Sequence, residues 1–221
     1  MKKIGFTLAE ILITLSIIGV IAALTLPSLS VNIHKQQAGT AFMKAVNTLK
    51  ATNMAALQDN QARYLKQIPT NSATNYLDET LEQYIQWAKV SRNTIKIPYG
   101  SGISSTASCH TSPDGITYMR TGDDDGTVTS APRGYTGEYM VVYIDVNGYS
   151  KGPNSLGRDV FKVLVDQAGQ VIPYGSYFSV TYGATTDNWE TKCTAPWSEG
   201  QDPAYCAGAI ADNGGQIRYK F

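Results

Sequence analysis

The stretch from Met1 to Leu29 constrains this chain more than anything that follows it. It reads MKKIGFTLAEILITLSIIGVIAALTLPSL. Lys2 and Lys3 precede an almost wholly apolar run from Phe6 to Leu26, in which Glu10 is the sole charged residue. At about 1.5 Å of rise per residue, a helix of that length spans roughly the 30 Å hydrocarbon core of a bilayer. Nothing comparable occurs downstream, so the sequence predicts at most one membrane span. The basic pair lies before the run, and the next positive charge is Lys35. That bias places the N-terminus in the cytoplasm and the remainder outside.

Three kinds of segment share this outline: a cleaved secretory signal, a plain signal anchor, and an anchor processed on its cytoplasmic side. A secretory signal has a short uncharged apolar core ending in small residues at the cleavage site. Here the run is long, holds a carboxylate, and offers only Val20-Ile21-Ala22 as a weak match to that ending. A carboxylate inside a membrane helix costs on the order of 2.5–3.5 kcal/mol on insertion scales and usually marks function. The plainer alternative is that Glu10 snorkels to the interface.

Gly5-Phe6-Thr7-Leu8-Ala9-Glu10 resembles the processing site of type IV prepilins and of type II secretion pseudopilins. In that family a short basic leader ends in Gly. A membrane peptidase cuts after it and methylates the new amine, and a Glu stands fifth in the mature chain, as Glu10 does counting from Phe6. A Pro near the outer face of the helix, here Pro27, fits the same pattern. The resemblance implies a leader at 1–5, a transmembrane and filament-core helix at 6–29, an amphipathic continuation at 30–60 and a globular head at 61–221. It implies processing and methylation at Gly5 and Phe6, and assembly through Glu10. The implied partners are identical or related subunits, the prepilin peptidase, an inner-membrane assembly platform and membrane lipid. The implied location is the inner membrane, with the head outside, followed by a pilus or periplasmic pseudopilus. The motif has a physical logic of its own. Gly5 leaves no side chain to obstruct a peptidase, and a free amine at Phe6 supplies a cation for a neighbour's Glu10 at low dielectric.

The rest of the chain reads as α+β. Phe42, Ala45, Val46, Leu49 and Ala56 recur at helical spacing, with Lys44, Asn47, Lys50 and Asn53 between them. Gly39 and Pro27 are expected to bend this helix without ending it. Gln61 to Thr74 reads as a loop. A second helix is expected from Asn75 to Val90, with Leu77, Leu81, Tyr84, Ile85 and Ala88 on one face and Asp78 and Glu79 in its first turn. Pro98 to Gly102 then breaks the chain. Strands are expected at Ile116–Arg120, Tyr139–Asp145, Val160–Asp166, Val171–Pro173 and Tyr177–Tyr182, divided by Gly-containing turns. The expected fold is type IV pilin-like: a long helix, membrane-spanning in its first half, packed on an antiparallel sheet of about four strands. Gln216–Phe221 reads as an edge strand.

Composition narrows the function. The 221 residues carry 18 basic and 18 acidic side chains. A net charge of zero gives no bulk attraction to nucleic acid, so none is predicted as a partner. Aromatic residues at 10% suffice to build a core, which excludes a disordered chain. Gly148-Tyr149-Ser150-Lys151-Gly152 matches the nucleophile-elbow pattern, but both histidines, His34 and His110, precede Ser150. Pro153 and Gly157 also disfavour the helix that an elbow requires. No enzyme is predicted. The alternative from another class is a membrane-anchored, adhesin-like binding module that uses surface tyrosines and is not assembled into filaments.

Two further groups stand out. Asp145-Val146-Asn147-Gly148, with Asp159 downstream, is oxygen-rich and suited to Ca²⁺, though not arranged as an EF-hand. A hairpin turn on Asn147-Gly148 with Asp145 capping a backbone amide explains the same residues. The resemblance implies calcium here too, since major pseudopilins carry such a loop between strands. Asp123-Asp124-Asp125-Gly126 reads as a solvated turn. Three cysteines allow three single pairings. The family's single disulfide stapling a C-terminal loop implies Cys193 with Cys206, leaving Cys109 buried and reduced, or displacing one of the two.

Overall fold

The computed structural model describes residues 7–65, 76–97, 103–120, 126–127, 138–177, 188–193 and 202–219. Helical periodicity at the N-terminus produces one uninterrupted helix, α1, Leu8–Asp59, with Pro27 inside it. It runs through two compact units, 1–37 and 38–221. In the first unit the large apolar side chains from Leu8 to Ile33 are exposed, among them Leu8, Leu12, Ile18, Val20 and Leu24. This part is long and apolar enough to cross a membrane.

In the second unit the predicted stripe is the core: Phe42, Ala45, Val46, Leu49 and Ala56 are all buried. Asn53 is buried with them, although its spacing sets it among the polar positions. Its amide donates to the Gly169 carbonyl (3.1 Å) and accepts from the Tyr76 hydroxyl (2.6 Å). A buried amide is tolerated when it is paired in this way.

The stripe packs on one face of a seven-stranded antiparallel sheet. Its strands are β1 (Lys89–Ile97), β2 (Ile103–Thr111), β3 (Thr117–Arg120), β4 (Gly126–Thr127), β5 (Glu138–Asp145), β6 (Val160–Asp166) and β7 (Val171–Pro173). Their order is β1-β2-β3-β5-β6-β7, and β4 pairs with β5 beyond the end of β3. Alternation divides β5 cleanly. Met140, Val142 and Ile144 join the core with Phe42, whose ring meets Phe161 at 4.9 Å. Val141 and Tyr143 face the other way, into a second cluster with Leu156, Leu164 and Ile172. Burial on both faces is why β5 reads as a continuous apolar run.

Four expectations fail. The sheet has seven strands where about four were expected, the additional ones being β1, β2 and the two-residue β4. The helix expected over 75–90 is a single π-helical segment, Tyr76–Leu81, after which the chain turns and enters β1 at Lys89. Leu77, Leu81 and Ile85 are buried as the pattern required, but the Ala88 N–H donates to the Thr111 carbonyl, so the sheet captures the segment's end. The hairpin of β1 and β2 is absent from the expectation, because Ser, Thr and Asn dilute its apolar alternation. Residues 216–219 form no strand. Gly215, at φ 87°, donates its N–H to the Ile210 carbonyl (2.7 Å) and folds the chain back after a short helix, Cys206–Asp212. The expected strand at Tyr177–Tyr182 beyond its first residue, most of the 61–74 loop and the Asp123–Asp125 turn lie outside the described residues.

Gly39 has a different role from a bend. A Cβ there would lie 2.1 Å from the Gly215 carbonyl oxygen, so its bare backbone lets the C-terminal segment lie directly on α1.

Candidate functional site

Gly5 and Phe6 lie outside the described residues, but the start of the helix next to them is defined. Glu10 Oε2 accepts from the Thr7 N–H (2.7 Å) and the Thr7 hydroxyl (2.9 Å), and the Glu10 N–H donates to Thr7 Oγ1 (3.3 Å). This is a capping box, in which N-cap and third residue satisfy each other's amides. The T-x-x-E spacing was present in the sequence to signal it. The apolar helix therefore begins at a fixed point, with its one carboxylate held at its first turn.

The second candidate lies where β5 ends. Asp145 pairs across the sheet with Val160, which brings Asp145 beside Asp159. Both carboxylates are buried. Asp145 Oδ1 accepts the N–H groups of Asn147 (3.1 Å) and Gly148 (2.9 Å), the turn chemistry expected from the sequence. Asp159 accepts from the backbone of Asn154 (2.9 Å) and Ser155 (2.6 Å), and from the Asn147 amide (3.3 Å). The structure thus brings Asp145, Asn147 and Asp159 together. It adds Asn154, which stands at φ 54° and donates its amide to the Tyr149 carbonyl (2.7 Å). Nothing in the sequence marks Asn154, since its place depends on the path of the loop.

Asp145 Oδ2, Asn147 Oδ1 and Asn154 Oδ1 are buried and have no hydrogen-bond partner among the described residues. Turn chemistry accounts for the other oxygens but not for these three, and oxygen donors of this type suit a hard cation. No group of three or more His, Cys, Asp or Glu side chains is placed to hold a metal among the described residues. Any site here would therefore depend on the two Asn side chains.

Burial, reinforced by the neighbouring Asp159 charge, pushes the Asp145 carboxyl up to about 7. The folded state then keeps a proton that the unfolded chain releases near pH 3.9. Stability from protonated Asp145 is complete below that value and drains away as pH rises through about 7. Without added metal, urea unfolding of the native chain is expected to show this loss between pH 4 and 7. Asp145→Asn, neutral throughout, is expected to show a flatter profile over the same range.

Cys193 and Cys206 are bonded, with Cα atoms 5.0 Å apart. Closing a loop of this size contributes on the order of 3 kcal/mol. Cys109 is the buried thiol, pushed up to about 11 by burial and by Asp145. Ser150 lies in a 3-10 turn, Tyr149–Lys151, and no elbow forms. His110 is buried, with its Nε2 2.7 Å from Asp78 Oδ1.

No family model matches this chain, no curated protein matches it and no solved structure matches it.

Proposed function

We propose that this chain is a structural subunit of a helical filament, a type IV pilus or a type II secretion pseudopilus. In this reading a prepilin peptidase cuts it between Gly5 and Phe6. The observation that carries the reading is the exposed apolar start of α1, whose one carboxylate, Glu10, stands four residues after Phe6 in the sequence. A helix so apolar needs lipid or other helices around it, and a filament core provides the second once the subunit leaves the bilayer. The subunit would sit in the inner membrane as a single-pass protein with its head outside, and an assembly platform would add it to the growing bundle. N-terminal mass spectrometry of the mature protein is expected to find N-methylated Phe6. A mature start near Ala23 would instead establish a secretory signal and end the filament reading.

The same reading assigns Ca²⁺ to the loop of Asp145, Asn147 and Asp159, with Asn154 added by the orphaned oxygens. Bound there, the ion would neutralise the two buried carboxylates and hold the loop between β5 and β6. At pH 8 the melting temperature is expected to rise with millimolar Ca²⁺. No rise, or an equal rise in an Asp145→Ala/Asp159→Ala variant, would leave only the turn.

A further inference from the structure

The sheet face turned away from α1 carries a small cleft of about 160 Å³, between the β1–β2 hairpin and the loop that follows β5. That is well below the roughly 300–1,000 Å³ of sites for drug-sized ligands, and it suits one compact group of a ligand. Lys89 lies opposite Thr111 in the β1–β2 register, and Thr111 lies opposite Thr117 in the β2–β3 register, so the three side chains share one face. Ser150 and Lys151 line the cleft from the loop. We propose that this cleft binds a phosphate group, either of a phosphate monoester or of inorganic phosphate, a function separate from the filament reading.

The hydroxyls in the floor form a chain of donors with a definite direction. Thr111 Oγ1 and Thr117 Oγ1 lie 2.9 Å apart, and the Tyr149 N–H donates to Thr117 Oγ1 (3.4 Å). The bond between the two hydroxyls uses one of their two protons. Thr117 is 1% exposed, so a spare proton kept there would be buried with no acceptor among the described residues. The cost of such a donor sets the direction: Thr117 donates to Thr111, and half-buried Thr111 turns its own proton into the cleft. The Tyr149 amide thus polarises a chain that ends in an accessible donor.

Charge selects the ligand. Lys89, Ser150 and Lys151 are exposed, and their side chains make no hydrogen bond or ion pair among the described residues. No Asp or Glu lines the cleft among those residues, which disfavours a cation. Asp114, next to Gly115 of the lining, is already paired with Lys44 at 2.6 Å. The Asp145 charge is felt at Cys109 in the floor, and two ammonium groups outweigh it. A carboxylate would bring one charge and two oxygens in a plane. A phosphate brings more charge and a third oxygen, and meets both ammonium groups and the Thr111 hydroxyl at once.

The test titrates the full chain, in phosphatidylcholine nanodiscs at pH 8 and low ionic strength without calcium, by isothermal calorimetry. The probes are inorganic phosphate, glucose 1-phosphate, acetate and glucose. At least one of the two phosphates is expected to bind with a dissociation constant of about 1 mM or tighter, and acetate and glucose more weakly. Tighter binding of glucose 1-phosphate would identify a phosphorylated sugar as the source of the group, and tighter binding of inorganic phosphate the free ion. Lys89→Gln and Lys151→Gln, both at exposed positions, are each expected to weaken binding by about tenfold while leaving the melting temperature unchanged. Lys50→Gln, which removes an exposed ammonium from α1, is expected to leave binding unchanged. Four results would overturn the proposal: no binding of either phosphate, acetate bound as tightly as phosphate, undiminished binding in a Lys89→Gln/Lys151→Gln variant, or an equal loss in Lys50→Gln. None of these substitutions touches Gly5, Phe6 or Glu10, so failure here says nothing against the filament reading, and the converse holds.

Discussion

Gly208→Ala is expected to destabilise the head by about 3 kcal/mol, in spite of the better helix former it introduces. Gly208 lies inside the helix Cys206–Asp212, where propensity alone would favour alanine by about 1 kcal/mol. Packing opposes that gain. A Cβ on Gly208 would stand 2.2 Å from both the Gly175 carbonyl carbon and the Ser176 nitrogen, and 2.6 Å from the Gly175 oxygen. All three are backbone atoms, so no side chain can swing aside. Neither segment is free to retreat. The Gly208 N–H donates to the Tyr174 carbonyl at 2.8 Å, and the Gly175 carbonyl accepts from Trp189 at 2.8 Å. Cys206, two residues earlier, is fixed by its disulfide. Urea unfolding of the oxidised protein, read by tryptophan fluorescence, measures the loss. A neutral or stabilising result would mean that the turn at Gly175 can shift at little cost, and that the C-terminal helix is held by the disulfide rather than by close backbone packing.

That contact marks the limit of what the sequence discloses. The helix with its stripe from Phe42 to Ala56 was legible, because 3.6-residue periodicity persists across it and no turn residue contradicts it. Strands β5 and β6 were legible because β-branched and aromatic residues run together there. The hairpin of β1 and β2 was not, since its Ser, Thr, Asn and Lys positions carry little alternation; pairing in the sheet, rather than local preference, makes those residues strands. The same capture shortened the helix expected over 75–90. Gly39, Gly208 and the burial of Asn53 are tertiary facts. Each depends on a segment far away in sequence, Gly215, Gly175 and Gly169 respectively, that no local pattern names. In the Asp145 loop, Asp145, Asn147 and Asp159 were legible as residue types. Asn154 and the three orphaned oxygens emerge only once the loop closes over the end of β5.

Glu10→Ala is expected to abolish or sharply reduce filament formation while leaving membrane insertion, processing and the head intact. Two roles of this carboxylate must be separated. Within the chain it completes the capping box with Thr7, and losing such a cap costs about 1 kcal/mol at the helix start. Between chains, on the proposed reading, it receives the N-terminal amine of a neighbour, while standing four residues after its own in the sequence. Pairing inside a bundle would replace two isolated charges with one neutral contact and fix the stagger between successive subunits. Removing the carboxylate strands the amine, while insertion becomes easier by roughly 2.5–3.5 kcal/mol. Glu10→Gln divides the two roles. A glutamine at this position can still close the capping box, but it cannot neutralise an amine. Both variants are therefore expected to fail in a filament-forming strain, with filaments counted by electron microscopy and processing checked at Phe6. If Glu10→Gln assembles normally and only Glu10→Ala fails, the cap is what assembly needs. Wild-type numbers of filaments from processed Glu10→Ala would remove both roles, leaving docking to the apolar surface of the helix alone.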